Sequence, residues 1–183
     1  VFIYIDGDVD IFSVIVYECN CDCNDQNVVY LNDGAGTFQS SSRNFGTGSV
    51  ATYSVAVGDV DNDGDLDIIT GSNTQNMVYL NDGAGKFLSP GRNFGPGDDD
   101  TQSVAVGDMD GDSDLDIITG NARGQNVVYL NDGAGNFPSP GHNFGTGNDH
   151  TQSIAVGDLD GDGDLDIITG NDGQDVEIAI TIH

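Results

Sequence analysis

Apolar residues in this chain arrive in short bursts separated by glycine, asparagine and aspartate, and no stretch carries the period of an amphipathic helix. In one stretch the bursts read Ser54-Val-Ala-Val, Ile68-Ile-Thr, Asn76-Met-Val-Tyr-Leu and Lys86-Phe-Leu. Their β-branched and aromatic content suits pleated strands, and the segments Gly71-Ser-Asn-Thr and Asn81-Asp-Gly-Ala-Gly between them suit tight turns. The series returns around Val104 and again around Ile154, so the chain predicts an all-β fold made of a repeated unit of four short strands.

The gap between the first two bursts of each unit is unlike the others. It holds aspartate at every second position, D-x-D-x-D-(G/S)-D-x-D, at residues 59–67, 108–116 and 158–166, at intervals of 49 and 50 residues. The three sets are Asp59, Asp61, Asp63, Asp65 and Asp67; Asp108, Asp110, Asp112, Asp114 and Asp116; and Asp158, Asp160, Asp162, Asp164 and Asp166. Five carboxylates in one tight loop repel each other enough to open it, or to force protons onto some of them, unless a cation sits among them. Calcium fits, because it takes oxygen ligands from carboxylates, carbonyls and water together. Magnesium prefers a more rigid and hydrated site, and soft metals prefer nitrogen or sulfur. In the loop of the second repeat, Asp59, Asp61 and Asp63 are expected to give carboxylate oxygens, Asp65 a backbone carbonyl and Asp67 the closing carboxylate, with Gly64 permitting the reversal. Ser113 stands where the other two loops have glycine, which marks the third repeat's loop as the most strained. About three calcium ions are expected, one per complete loop.

An EF-hand begins in the same way but needs a bidentate glutamate at its twelfth position, between two helices. Here that position holds Thr70, Thr119 and Thr169, and the flanking residues are strand formers. The loops are therefore expected to join two strands.

Charge narrows the partners. The chain has 31 acidic residues against four basic ones, Arg43, Lys86, Arg92 and Arg123, a formal charge of −27 that three calcium ions only partly offset. Such a surface repels nucleic acid and anionic membranes. No uncharged segment is long enough to span a bilayer. Loops of this kind need ambient calcium, which points to an extracellular or cell-surface location. The first residues lack a basic region followed by an apolar core, so the chain reads as a mature form or a fragment. Cys19, Cys21 and Cys23 lie at spacing two, too close and wrongly directed on a strand for an easy disulfide, and read as ordinary thiols or an intermolecular bridge.

Four short strands about every 50 residues is the signature of a propeller-type blade. The turn Leu-Asn-Asp-Gly-Ala-Gly-x-Phe recurs from Leu31, Leu80 and Leu130, and Asn-Phe-Gly-x-Gly from Asn44, Asn93 and Asn143. With the aspartate loop, these segments resemble FG-GAP/VCBS repeats, the calcium-binding blades of integrin-alpha-like β-propellers, over roughly residues 26–174. The resemblance implies a calcium loop between the first two strands of each blade. The chain has material for about three and a half four-stranded blades in a single array over 1–183: a degenerate first repeat (1–53), a second (54–103), a third (104–153) and a partial fourth (154–183). In the first repeat, Asp6, Asp8 and Asp10 match the last three loop positions by motif; by ungapped spacing, Asp10 and Glu18 would be the loop's ends. Under either alignment this site is expected to be empty or weak.

Strand-like segments at both ends, Val1-Phe-Ile-Tyr-Ile, Ile11-Phe-Ser-Val-Ile-Val-Tyr and Val176-Glu-Ile-Ala-Ile-Thr-Ile, belong to repeats expected to leave a blade incomplete. Unpaired edges there invite association, as a ring within one chain or a head-to-tail filament between chains. Catalysis is not expected, since His142, His150 and His183 form no evident constellation and metal binding explains the carboxylates. The favoured function is a calcium-stabilised structural or adhesion module acting on a protein partner or on itself. A lectin-like propeller is the other class; its aromatic candidates, Tyr30, Tyr79 and Tyr129 with Phe45, Phe94 and Phe144, are expected to pack within blades.

Overall fold

The structure is a computed structural model that describes residues 2–4, 9–13, 27–38, 43–46, 50–147, 149–172 and 176–179. Its described residues form four antiparallel sheets in chain order, with no helix among them. The first sheet holds β1 (Phe2–Tyr4), β2 (Val9–Ser13), β3 (Asn27–Tyr30) and β4 (Arg43–Phe45), and the second β5 (Thr52–Gly58), β6 (Asp67–Ser72), β7 (Asn76–Tyr79) and β8 (Arg92–Phe94). The third holds β9 (Thr101–Gly107), β10 (Asp116–Asn121), β11 (Asn126–Tyr129) and β12 (His142–Phe144), and the fourth β13 (Thr151–Gly157), β14 (Asp166–Asn171) and β15 (Val176–Ala179). The last three sheets pack through their first strands, with β9 lying against both β5 and β13.

Two expectations about the strands need correction. The fourth strand of the unit is Arg92–Phe94, from the Asn-Phe-Gly segment, and not Lys86-Phe-Leu. Phe87 makes only an isolated bridge to Asn81, and the Leu88 N–H donates to the Leu80 carbonyl (2.9 Å), so this segment finishes the turn. The chain then passes Pro90, which has no N–H to pair, before Phe94 settles opposite Asn76 and buries its ring against the next sheet. The first repeat does complete a four-stranded sheet, because β1 pairs with β2 from Phe2↔Ile11 to Tyr4↔Val9. Only Val9–Ser13 and Val176–Ala179 of the longer terminal runs are described as strand; residues 14–17 and 180–182, with Cys19, Cys21 and Cys23, lie outside the described residues.

Register resolves the first repeat's alignment. Ile11 stands opposite Tyr30 as Ile68 stands opposite Tyr79 and Ile117 opposite Tyr129. Asp10 therefore occupies the position of Asp67 and Asp116, as the motif alignment has it, while Asp6 and Asp8 lie outside the described residues.

The double isoleucine of each unit shows why the second strand reads as a continuous apolar run. Successive strand residues point to opposite faces, and these sheets are covered on both. Ile68 joins Val29 and Phe45 of the first sheet, and Ile69 joins Val104, Ile117 and Tyr129 of the third. Ile117 faces back to the second sheet, and Ile118 forward to Ile154 and Ile167 of the fourth. The repeated aromatics pack between sheets and not within one: Phe45 meets Tyr79 edge-on at 5.1 Å, and Phe94 meets Tyr129 at 5.5 Å. Glycine sets the spacing of the stack. A Cβ on Gly58 would lie 2.7 Å from Leu115, and one on Gly107 2.7 Å from Leu165, so each glycine accepts a leucine from the next sheet.

Buried polar residues stitch the same seams. Asn76 donates to Thr101 Oγ1 (2.9 Å), whose hydroxyl donates to Asn121 Oδ1 (2.7 Å); Asn126, Thr151 and Asn171 repeat the relay one sheet further on. The buried members Asn76, Thr101, Asn121, Asn126 and Thr151 are each paired, which a buried polar group requires.

Candidate metal centres

The aspartate loop of each of the last three sheets leaves the first strand and returns as the second, so that its last aspartate is already part of a strand. Asp67, Asp116 and Asp166 open β6, β10 and β14, and all three are buried (0%, 1% and 3% exposed). Both oxygens of Asp67 accept backbone hydrogen bonds, Oδ2 from Val60 N–H (3.0 Å) and Oδ1 from Asn81 N–H (2.8 Å). Asp116 is held in the same way by Met109 (2.8 Å) and Asn131 (2.9 Å), and Asp166 accepts from Leu159 (2.9 Å).

The first aspartate organises the turn. Asp59 accepts from Asp63 N–H (3.1 Å) and Gly64 N–H (2.9 Å); Asp108 accepts from Gly111 (2.8 Å) and Ser113 (2.9 Å); Asp158 accepts from Gly161 (2.7 Å) and Gly163 (3.2 Å). Ser113 adopts φ 77°, the left-handed region that Gly64 and Gly163 enter more freely, so its loop carries the strain its sequence implied. The loop of the second sheet has a left-handed residue of its own, Asn62 at φ 59°, where the other two loops have Gly111 and Gly161.

Positions one, three and nine converge. Asp59, Asp61 and Asp67 each present an oxygen within 4.8 Å of the other two, as do Asp108, Asp110 and Asp116, and Asp158, Asp160 and Asp166. The fifth and seventh aspartates contribute no carboxylate to these triads. Asp63, Asp112 and Asp162 instead accept from the N–H two residues on (2.9, 2.9 and 3.0 Å), and the Asp65 and Asp114 carboxylates lie against Gly83 and Gly133 of the following turn.

The donor set fits a hard cation. Asp61, a member of the triad, has its Oδ1 buried without a hydrogen-bond partner. Burial pushes Asp67 up to about 6 despite its two backbone N–H donors, and burial also raises Asp61, with Asp63 adding repulsion, and Asp116. Buried carboxylates that crowd together are stabilised by a metal or else neutralised. In each loop the triad would hold a calcium ion, which supplies the charge that lets the three carboxylates remain ionised together.

Two participants escaped the reading of the sequence. Asn81 and Asn131 of the Asn-Asp-Gly-Ala-Gly turn donate their N–H to the buried aspartate, and their side chains donate to Leu66 O (3.0 Å) and Leu115 O (3.0 Å). The return of the turn 14 residues after Asp67 and 15 after Asp116 was the signal that could have found them. Arg43 and Arg92 each donate to a carbonyl in the turn of the next sheet, Ala84 O and Ala134 O (2.7 Å for Arg92). They act as straps between sheets.

Residues 6–70, 59–119 and 109–169 each match the family model of the FG-GAP-like repeat. No curated protein sequence matches the chain. Among solved structures, the crystal structure of the V. cholerae biofilm matrix protein Bap1 is similar over 90% of this chain at 20% identity and a TM-score of 0.49. The chain spans 26% of that protein's length. With family matches running from residue 6 to residue 169, the chain belongs to the FG-GAP-like repeat family.

Proposed function

We propose that the chain is a calcium-stabilised, non-catalytic structural or adhesion module of the extracellular space or cell surface, with its sheets arranged as propeller-type blades. The observation that carries this reading is the triad repeated in three consecutive sheets, each built on a buried aspartate that opens the second strand. Calcium at these points would tie the first two strands of each sheet together and remove the repulsion that the loops otherwise impose. The aspartates are accounted for by metal ligation, and His142 and His150 are exposed, so no reaction is assigned. The strong negative charge disfavours nucleic acid and anionic membranes as partners.

Self-association is the second reading, favoured by the forward face of the fourth sheet. Among the described residues nothing lies within 4 Å of the Gly157 Cβ position, where Gly58 and Gly107 receive leucines. Leu159, the counterpart of buried Val60, is 48% exposed. A further sheet, from a longer array of the same repeats, a protein partner or a second copy, would cover this face. A glycan has less support, because Phe45, Tyr79, Phe94 and Tyr129 are buried in the seams and unavailable as stacking platforms.

Light scattering combined with thermal melting, in calcium and then in chelator, tests the reading. Calcium raising the melting temperature supports the module, and a mass well above one chain adds self-association. Identical melting in calcium and chelator would reject the calcium role.

A further inference from the structure

We infer that the metal loops of the second and third sheets are energetically coupled, that Asn62 carries the coupling, and that the loop of the fourth sheet titrates independently. This rests on the calcium reading above and concerns how its sites communicate.

Asn62 lies between Asp61 and Asp63 in the loop at 59–67, and its side chain leaves that loop altogether. Its Nδ2 donates to Asp114 Oδ1 in the next sheet's loop (2.7 Å) and approaches Gly133 O (3.4 Å). Asp114 sits two residues before the triad member Asp116, and its own N–H is bonded to Asp112 Oδ1 (2.9 Å). The two loops already share a scaffold. Asn131 donates from Nδ2 to Val60 O in the second sheet's loop (2.8 Å) and from its N–H to Asp116 Oδ1 (2.9 Å). Arg92 donates to Ala134 O (2.7 Å) and Gly135 O (3.3 Å) across the same seam.

A cation held by Asp59, Asp61 and Asp67 fixes the backbone on both sides of Asn62, and with it the amide that restrains Asp114. The loop at 108–116 then has less freedom left to lose when its own cation binds, which is positive coupling through ordering. Linkage makes the effect reciprocal. In the third sheet's loop the position of Asn62 is held by Gly111, which has no side chain to reach the next loop.

The experiment is a calcium titration followed by the amide NMR signals of Gly64, Ser113 and Gly163, which report the three loops separately. In the wild type, the Gly64 and Ser113 signals are expected to titrate together and cooperatively, and Gly163 on its own. Asp59→Ala, with Asp61→Asn as a milder second variant, is expected to weaken binding at the 108–116 loop by about fivefold, the lower end of typical coupling between sites, and to leave the 158–166 loop unchanged. Asn62→Gly, matched to the glycines at this left-handed position in the other loops, is expected to abolish that dependence with all three sites still binding. Equal affinity of the 108–116 loop in the wild type and in both site variants overturns the coupling while the calcium reading stands, as does a coupling that survives Asn62→Gly. Wild-type protein whose three signals ignore calcium overturns both.

Discussion

The backbone N–H of Asn81 donates to Oδ1 of Asp67 over 2.8 Å, joining the end of an acidic loop to the turn after the third strand. With Val60 N–H on the other oxygen, Asp67 faces two donors inside the fold, and its position is set before any metal arrives. The site is thus a charge held by backbone geometry, and several outcomes follow from that.

Replacing Asp67 by Asn keeps the shape but turns an amide NH₂ toward one of two N–H donors. One of them loses its acceptor. Asp67→Asn is expected to destabilise the protein by at least about 1–3 kcal/mol in saturating calcium, where the carboxylate is ionised and both donors are used, the usual cost of a buried unsatisfied group. Urea unfolding in calcium measures it, and unchanged stability would contradict the pairing of Asp67 with Val60 and Asn81.

Removing a triad member should cost one ion and no more than its coupled neighbour's affinity. Asp116→Ala is expected to reduce the stoichiometry from three calcium ions to two by calorimetry, because Asp108 and Asp110 keep only two of the three convergent oxygens. Three ions bound by the variant would show that the loop closes without its buried carboxylate.

Proton and calcium binding should oppose each other. Burial lifts Asp67 to about 6 from an ordinary 3.8, and raises Asp61 and Asp116. Without metal, the folded state then holds protons that the unfolded chain has already released, so stability from these groups is fully present below the ordinary value and lost as pH rises through about 6. In chelator the protein is expected to melt higher at about pH 4.5 than at about pH 7, a trend that the easing of its net negative charge reinforces. Saturating calcium, which needs the ionised carboxylates, is expected to reverse the order. Scanning calorimetry at the two pH values, with and without calcium, checks both signs.

The seams between sheets should be sensitive to a single hydroxyl. Thr101 is buried and joins Asn76 of one sheet to Asn121 of the next. Thr101→Val preserves volume but strands an amide donor and an amide acceptor, so a loss of about 1–3 kcal/mol is expected for each group left unpaired. Because the change touches no aspartate loop, the calcium stoichiometry should remain that of the wild type.

Much of this was legible in the chain itself. Alternating aspartates, the return of the pattern about every 50 residues and the Leu-Asn-Asp-Gly-Ala-Gly turn specified a repeated antiparallel sheet with an acidic loop after its first strand, because these are local properties of spacing, charge and turn chemistry. What the spacing could not tell was which oxygens meet. Asp63 and Asp65 look equivalent to Asp61 along the chain, yet only positions one, three and nine converge, while Asp63 accepts the Asp65 N–H and Asp65 lies against the Gly83 turn. The fourth strand was misplaced for a related reason. Lys86-Phe-Leu has strand-forming residues, but Phe94 finds its burial against Tyr129 of the neighbouring sheet, and that contact decides which segment pairs with β7. The sequence by itself determined the units, their loops and their charge. Folding of each loop against its own turn decided the metal-facing set, and packing of one sheet on the next decided the straps from Arg43 and Arg92 and the bridge from Asn62 to Asp114, which depend on residues that only the stacking of sheets brings within hydrogen-bonding distance.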